Sequence, residues 1–215
     1  ELARRLAEYR RMKEAAVWLA ERLAHSAALQ GRSGAVRPRL LARAALAGAA
    51  DPRHVVVGGL GMGFTLREIL TDRRVRQVTV AELEPAIPAF MREGTLPGAD
   101  LLDDRRVGLH VGDVRDVVGD LAPQSVDVIL LDVDNGPDFL VHDSNADLYG
   151  APFVAACAER LRDLGELCIW SMDDSAAVRG ALAASFAHVY AERVPVRLQG
   201  RAEAYWLLRG RVPRR

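Results

Sequence analysis

At 215 residues, half of them hydrophobic, the chain can bury one substantial core, enough for one domain with an extension. Its 29 basic and 29 acidic residues cancel, so no broad field draws it to nucleic acid or to an anionic membrane surface. No apolar run approaches the roughly 20 residues that span a bilayer, and no signal peptide is evident, so a cytoplasmic protein is expected.

Residues 1–29 read as a helix. Leu2, Leu6, Tyr9, Met12, Ala16, Leu19 and Leu23 recur at spacings of three and four and form an apolar stripe. Gly31 and Gly34 break it, and Pro38 opens a second helix from Arg39 to about Ala47, ended by Gly48. This helical N-terminal extension, residues 1–50, could cap the substrate side, form the seam of a homodimer, or pack against the sheet edge. Glu1 does not start a reading frame, so the natural chain is expected to begin upstream.

From residue 51 to 215 strands and helices alternate, the pattern of a mostly parallel sheet with helices on both faces. Strands are expected at Val55–Val57, Val78–Glu82, Val107–Val111, Val126–Leu131 and Glu166–Trp170, with a closing antiparallel pair at Val189–Val194 and Ala204–Leu208. Helices are expected after Gly63, after Pro85, over Pro152–Leu164, and from Asp173-Asp174-Ser175 to about Phe186. Cys157 and Cys168 read as buried free thiols, as in a reducing compartment. The five histidines lack H-x-x-x-H spacing, so no metal site is expected. The basic tail, Arg209 to Arg215, reads as a solvated end.

The most informative segment is the glycine turn between the first strand and its helix. Gly58-Gly59-Leu60-Gly61-Met62-Gly63 leaves backbone N–H groups and a helix N-terminus facing a ligand. The dinucleotide pattern G-x-G-x-x-G fails in both registers, because Phe64 or Leu66 stands where a small residue must be. No Gly-Lys-Ser/Thr follows, which removes the P-loop. The spacing left, G-x-G-x-G, is that of S-adenosylmethionine (SAM) enzymes. The second strand ends in Glu82, roughly 20 residues past the turn, where a Rossmann-like fold puts a carboxylate on ribose hydroxyls. Glu84, just before Pro85, reads as a helix N-terminal acid. Asp113 could accept from an adenine amino group, cap the next helix, or do both. The fourth strand ends in Asp132-Val133-Asp134-Asn135, two carboxylates and an amide beside the glycine turn, which makes it the best catalytic candidate.

Taken together, Gly58 to Arg67, Ala81-Glu82-Leu83-Glu84, Gly112-Asp113-Val114, Leu131 to Pro137 and Ser144 to Gly150 resemble the spermidine synthase (polyamine aminopropyltransferase) superfamily, and more closely its bacterial spermidine synthase-like branch. The resemblance covers about residues 53–175. It implies a Rossmann-like SAM-dependent transferase fold, with a mostly parallel seven-stranded sheet whose last strand is antiparallel. It implies Gly58, Gly59, Gly61, Gly63, Glu82, Asp113 and Asp132 for the nucleoside, and Asp132 as the carboxylate that takes the amine's proton. The sequence departs from that family on the acceptor side. The family's Asp-Ser-Ser/Thr-Asp-Pro-x-Gly-Pro loop is shortened to Asp132–Pro137, the acid of its glycine loop is missing at Gly61-Met62, and its N-terminal β-hairpin domain has no counterpart in residues 1–50.

The sulfonium activates its own carbon substituents, so a transferase must chiefly position donor and acceptor. An amine acceptor must also lose a proton, which Asp132 with Asp134 nearby could receive. Asp134, Asn135 and Tyr149 are the expected substrate contacts; Tyr149 lies in a loop over residues 136–150 whose acids could hold a cationic amine. His142 reads as solvated, and Asn145 and Asp147 otherwise read as caps of the next helix. Three functions remain open. The chain could transfer an aminopropyl or related group from SAM or decarboxylated SAM to a small-molecule amine. It could be a methyltransferase using SAM. It could be a nucleoside-binding scaffold without activity.

Overall fold

The computed structural model describes residues 36–133, 136–137, 140, 143–198 and 201–214. The expected first helix, the expected contacts Asp134 and Asn135, and His142 lie outside these residues.

The strands β1 (His54–Gly58), β2 (Gln77–Glu82), β3 (Val107–Val111), β4 (Val126–Leu131), β5 (Leu161–Ser171), β6 (Phe186–Leu198) and β7 (Arg201–Pro213) form one seven-stranded sheet in the order β3-β2-β1-β4-β5-β7-β6. The first five are mutually parallel; β7 runs antiparallel to both β5 and β6. The reversed last strand is therefore present, inserted between β5 and β6. Helices α1 (Val36–Gly48), α2 (Phe64–Thr71), α3 (Ala86–Arg92), α4 (Ala99–Leu102), α5 (Val114–Asp120), α6 (Ala151–Arg160) and α7 (Ala176–Ser185) cover the sheet, with a 3-10 turn at Asp143–Tyr149.

Period-two alternation divides the core. Val55, Val57, Val128, Leu130, Cys168 and Trp170 face one layer, closed by α1, α2 and α3. Val56, Ile129, Leu131, Leu167 and Ile169 face the other, closed by α5, α6 and α7. Burial on both faces explains why the central strands are apolar throughout. Each layer holds one free, buried thiol: Cys168 in the first, Cys157 in the second.

Three expectations shift. The helix α1 begins by Val36 and lies across a face of the sheet, over β4 and β5, with Leu41, Ala42, Ala45 and Leu46 buried in the first layer; it does not sit at the sheet edge. The helix expected over 152–164 stops at Arg160, because Leu161 already pairs with Val126 and begins β5. A register shift between Val126 and Val128 then returns the strand to the regular ladder, in which Glu166 pairs with Val128. The helix α7 ends at Ser185, and Phe186 turns extended to begin β6, where its ring packs over Gly210 of β7. The closing hairpin is accordingly longer than its apolar stretches suggest. No described helix is long and apolar enough to cross a membrane.

Candidate active site

In this strand order the chain reverses its progression between β1 and β4. A parallel sheet opens a crevice at the carboxyl ends of such a pair. The glycine turn leaves β1 there and Asp132 leaves β4. Gly59 and Gly63 adopt φ of 93° and 73°, and Gly61 adopts 49°, the left-handed region that favours glycine. At Gly59 a second constraint applies, since a Cβ would collide with the Asp132 carbonyl oxygen. Asp132 N donates to Gly58 O at 2.8 Å, which continues the β1–β4 ladder into the two loops. The turn and the acid are thus held together through their backbones.

A cavity of about 250 Å3 opens at this point. Gly59, Gly61, Glu82, Glu84, Asp113 and Asp132 line it, with Leu83, Ile87, Val114 and Leu148 as apolar walls and Asn145 at the loop side. Most of the expected nucleoside residues therefore meet in one place. Gly58 and Gly63 shape the turn from behind and do not line the cavity. Tyr149 is 5% exposed and packs into the second core layer; Asn145 and Leu148, from the same 3-10 turn, face the cavity in its stead.

Each acid is fixed differently. Glu82 Oε2 accepts from Leu60 N at 2.8 Å and Gly61 N at 3.3 Å, and Oε1 accepts from Glu84 N at 2.9 Å. The carboxylate therefore fastens the glycine turn to its own strand end. A carboxylate offers about four acceptor directions, so about one is left for a ribose hydroxyl. Glu84 Oε1 accepts from Ala86 N at 3.1 Å, the helix-start role its position suggests. Asp113 caps α5 by accepting from Arg115 N at 2.8 Å, and the Arg115 guanidinium grips the same carboxylate. That hydrogen-bonded guanidinium holds the Asp113 carboxyl below the usual carboxylate range. Asn145 and Asp147 do not cap α6; its N-cap is Gly150, and Asp147 instead reaches Arg115 at 3.3 Å.

Asp132 differs from the others. Its Oδ2 accepts from Thr65 Oγ1 at 2.7 Å, and among the described residues no guanidinium or ammonium pairs with it. Burial pushes its carboxyl up, partly opposed by the Thr65 hydrogen bond. Thr65 was missed in the sequence, where a threonine in the first turn of a helix looks like an ordinary N-terminal residue. The only available signal was a polar residue on the buried side of an otherwise apolar turn.

A second hollow, about 650 Å3 and more open, lies at the other end of the strands beside Arg53, Asp127 and Arg162. Arg162 pairs with Asp127 at 2.7 Å and Arg53 with Asp51 at 2.6 Å, so both of its arginines are already paired with acids. Among the described residues no group of His, Cys, Asp and Glu side chains is arranged to hold a metal ion.

No protein-family model matches the chain. It is 30% identical over 171 residues to polyamine aminopropyltransferase 2 of Pseudomonas aeruginosa, an alignment covering 73% of this chain and 46% of that protein. It is 29% identical over 120 residues to putrescine N-methyltransferase 2 of Nicotiana tabacum, covering 55% of this chain and 32% of that one. The chain thus spans less than half the length of either relative. A spermidine synthase solved with the transition-state analogue AdoDATO superposes with a TM-score of 0.71 at 19% identity, over 84% of this chain and 61% of that one. The fold is that of the SAM-dependent methyltransferases. Within that class its sequence is similar to that of a polyamine aminopropyltransferase.

Proposed function

We propose that the chain transfers an alkyl group, aminopropyl or related, from a SAM-type sulfonium to a small-molecule amine, with Asp132 as the proton acceptor. The observation that carries this reading is the charge of the cavity. Four carboxylates line it, and among the described lining residues there is no lysine, arginine or histidine. Arg115 compensates Asp113 from behind, which leaves Glu82, Glu84 and Asp132 facing the ligand. Such a surface attracts a sulfonium or an ammonium and repels the phosphates that glycine turns of this kind otherwise bind. Glu82 and Asp113 are the groups that would hold ribose and adenine. The names of the two relatives, an aminopropyltransferase and a putrescine methyltransferase, support an amine as acceptor.

In the reaction, the amine nitrogen attacks the activated carbon, the carbon–sulfur bond breaks, and the electron pair leaves on the thioether sulfur. The nitrogen is then over-protonated, and its proton passes to Asp132. Asp134 is the expected second acid, and it and Asn135 are the expected acceptor contacts. A methyl group moves by the same geometry. Met62, standing where the family's glycine loop has an acid, favours methyl transfer as the second reading.

Parallel calorimetric titrations with SAM, decarboxylated SAM and methylthioadenosine separate these readings. Preference for the decarboxylated donor supports aminopropyl transfer, and preference for SAM supports methyl transfer. Binding of none removes both. With a donor in hand and putrescine as acceptor, Asp132→Asn should lower turnover about a hundredfold or more while donor affinity changes little. Equal turnover would remove Asp132 from the chemistry.

A further inference from the structure

Asp132 is held three times by one segment. Its N–H donates to Gly58 O, its carbonyl fills the space that the absent Cβ of Gly59 leaves, and its Oδ2 accepts from the Thr65 hydroxyl at 2.7 Å. The first two contacts fix the backbone only. They leave the carboxylate free to rotate about its side-chain bonds, so its orientation depends on the third. We infer that Thr65 is a positioning residue for Asp132, holding Oδ2 so that Oδ1 is the oxygen offered to the acceptor's proton. This inference rests on the reading of Asp132 as the proton acceptor.

Two features support it. Thr65 is 3% exposed, the second residue of α2, and its hydroxyl crosses to the end of β4, which is distant in sequence. Packing alone would be met there by valine, which has the same shape, so the hydroxyl has a polar purpose. The second feature is the absence of competitors. From the end of β2 and the turn after it come Glu82 and Glu84, from the start of α5 comes Asp113, and from β5 the neutral thiol of Cys168; all are acidic or uncharged. No described cation faces Asp132, so the Thr65 hydroxyl is the described side chain that favours its ionised form. A hydrogen bond to a charged oxygen favours that charge, and its removal lets burial act unopposed.

The test is the titration of the Asp132 carboxyl, followed by carbon-detected NMR on the unliganded full chain and assigned by difference from Asp132→Asn. Thr65→Val should move the midpoint up by about one pH unit, and Thr65→Ser should restore it. Thr65→Ala serves as a second hydroxyl-free variant if valine perturbs the turn. In turnover with putrescine, the acidic limb of the pH profile should move up by the same amount in Thr65→Val. An unmoved midpoint in both hydroxyl-free variants overturns the inference. Unchanged turnover in Asp132→Asn, with the midpoint still moved by Thr65→Val, would instead sink the role of Asp132 and leave the hydrogen bond as structural.

Discussion

Three backbone N–H groups converge on Glu82, and this makes it more than a contact for a ligand. Removing the carboxylate strands Leu60, Gly61 and Glu84 N–H groups at a half-buried turn. Glu82→Ala should therefore lower stability by about 2 kcal/mol, read by denaturant unfolding, and weaken nucleoside binding at least tenfold in calorimetry. If the loss appears in binding alone, the turn is held by its glycines and not by the acid. The sequence marked Glu82 as important through its distance from the glycine turn. It did not reveal the grip on the turn, because which N–H groups point inward depends on the left-handed φ of Gly59 and Gly61. Tyr149 shows the opposite case. Its loop position suggested a ligand contact, but in the 3-10 turn Asn145 and Leu148 line the cavity and Tyr149 is buried in the second core layer.

At the scale of elements, the sheet is joined to α1 by charge as well as by apolar packing. Glu166, fully buried on β5, pairs with Arg209 Nε at 2.5 Å and approaches Arg211 Nε at 3.2 Å, both from β7. The two arginines then donate onward to the carbonyls of Ala44 and Gly48 in the last turns of α1. Arg74 donates to Leu46 O and Ala49 O from another side. Terminal carbonyls of a helix need such partners, and cations there also suit its dipole. Removing the acid leaves two guanidiniums facing each other in a buried place. Glu166→Gln should cost about 3 kcal/mol in chemical unfolding, with Arg209→Met less costly because it leaves no surplus positive charge. A smaller pair yields a pH prediction. Asp104, in the turn before β3, accepts from the Arg106 guanidinium and backbone, which pulls its carboxyl from 3.8 to about 2. The folded value lies below the unfolded one, so its stabilisation is present above about pH 4 and is lost as the pH falls toward 2. Asp104→Asn should flatten the acid end of a stability–pH curve. None of the α1 clamp was legible beforehand, since Arg209 and Arg211 read as part of a solvated basic tail. The alternation of strands and helices was legible, but the α6–β5 boundary was not, because Leu161 satisfies either period.

For the whole molecule, the notable contrast is between a neutral chain and an acidic cavity. The 29 positive and 29 negative residues leave no net charge, yet the described lining of the cavity is one-sided. A cationic nucleoside bound there couples directly to folding, since the glycine turn, β2 and β4 must all be formed to hold it. A donor at a hundred times its Kd should add about 2.7 kcal/mol, visible as a rise in Tm that an anionic nucleotide such as ATP does not match. The meeting of the β4 end with the glycine turn of β1 was readable from the sequence, whereas the full strand order was not. The placement of α1 on a face could not be read, because its mix of alanine and arginine suits a surface as well as an interior. The two thiols turn this architecture into a pair of clocks. Cys168 and Cys157 stand on opposite sides of the sheet, and burial pushes both up, so neither presents a thiolate to solvent while the fold is closed. Alkylation must then wait for opening, with Cys168 timing the separation of α1 and Cys157 that of α6. Equal labelling rates would mean that the protein opens as one unit; a faster Cys168 would mean that α1 detaches first, leaving the rest of the sheet covered.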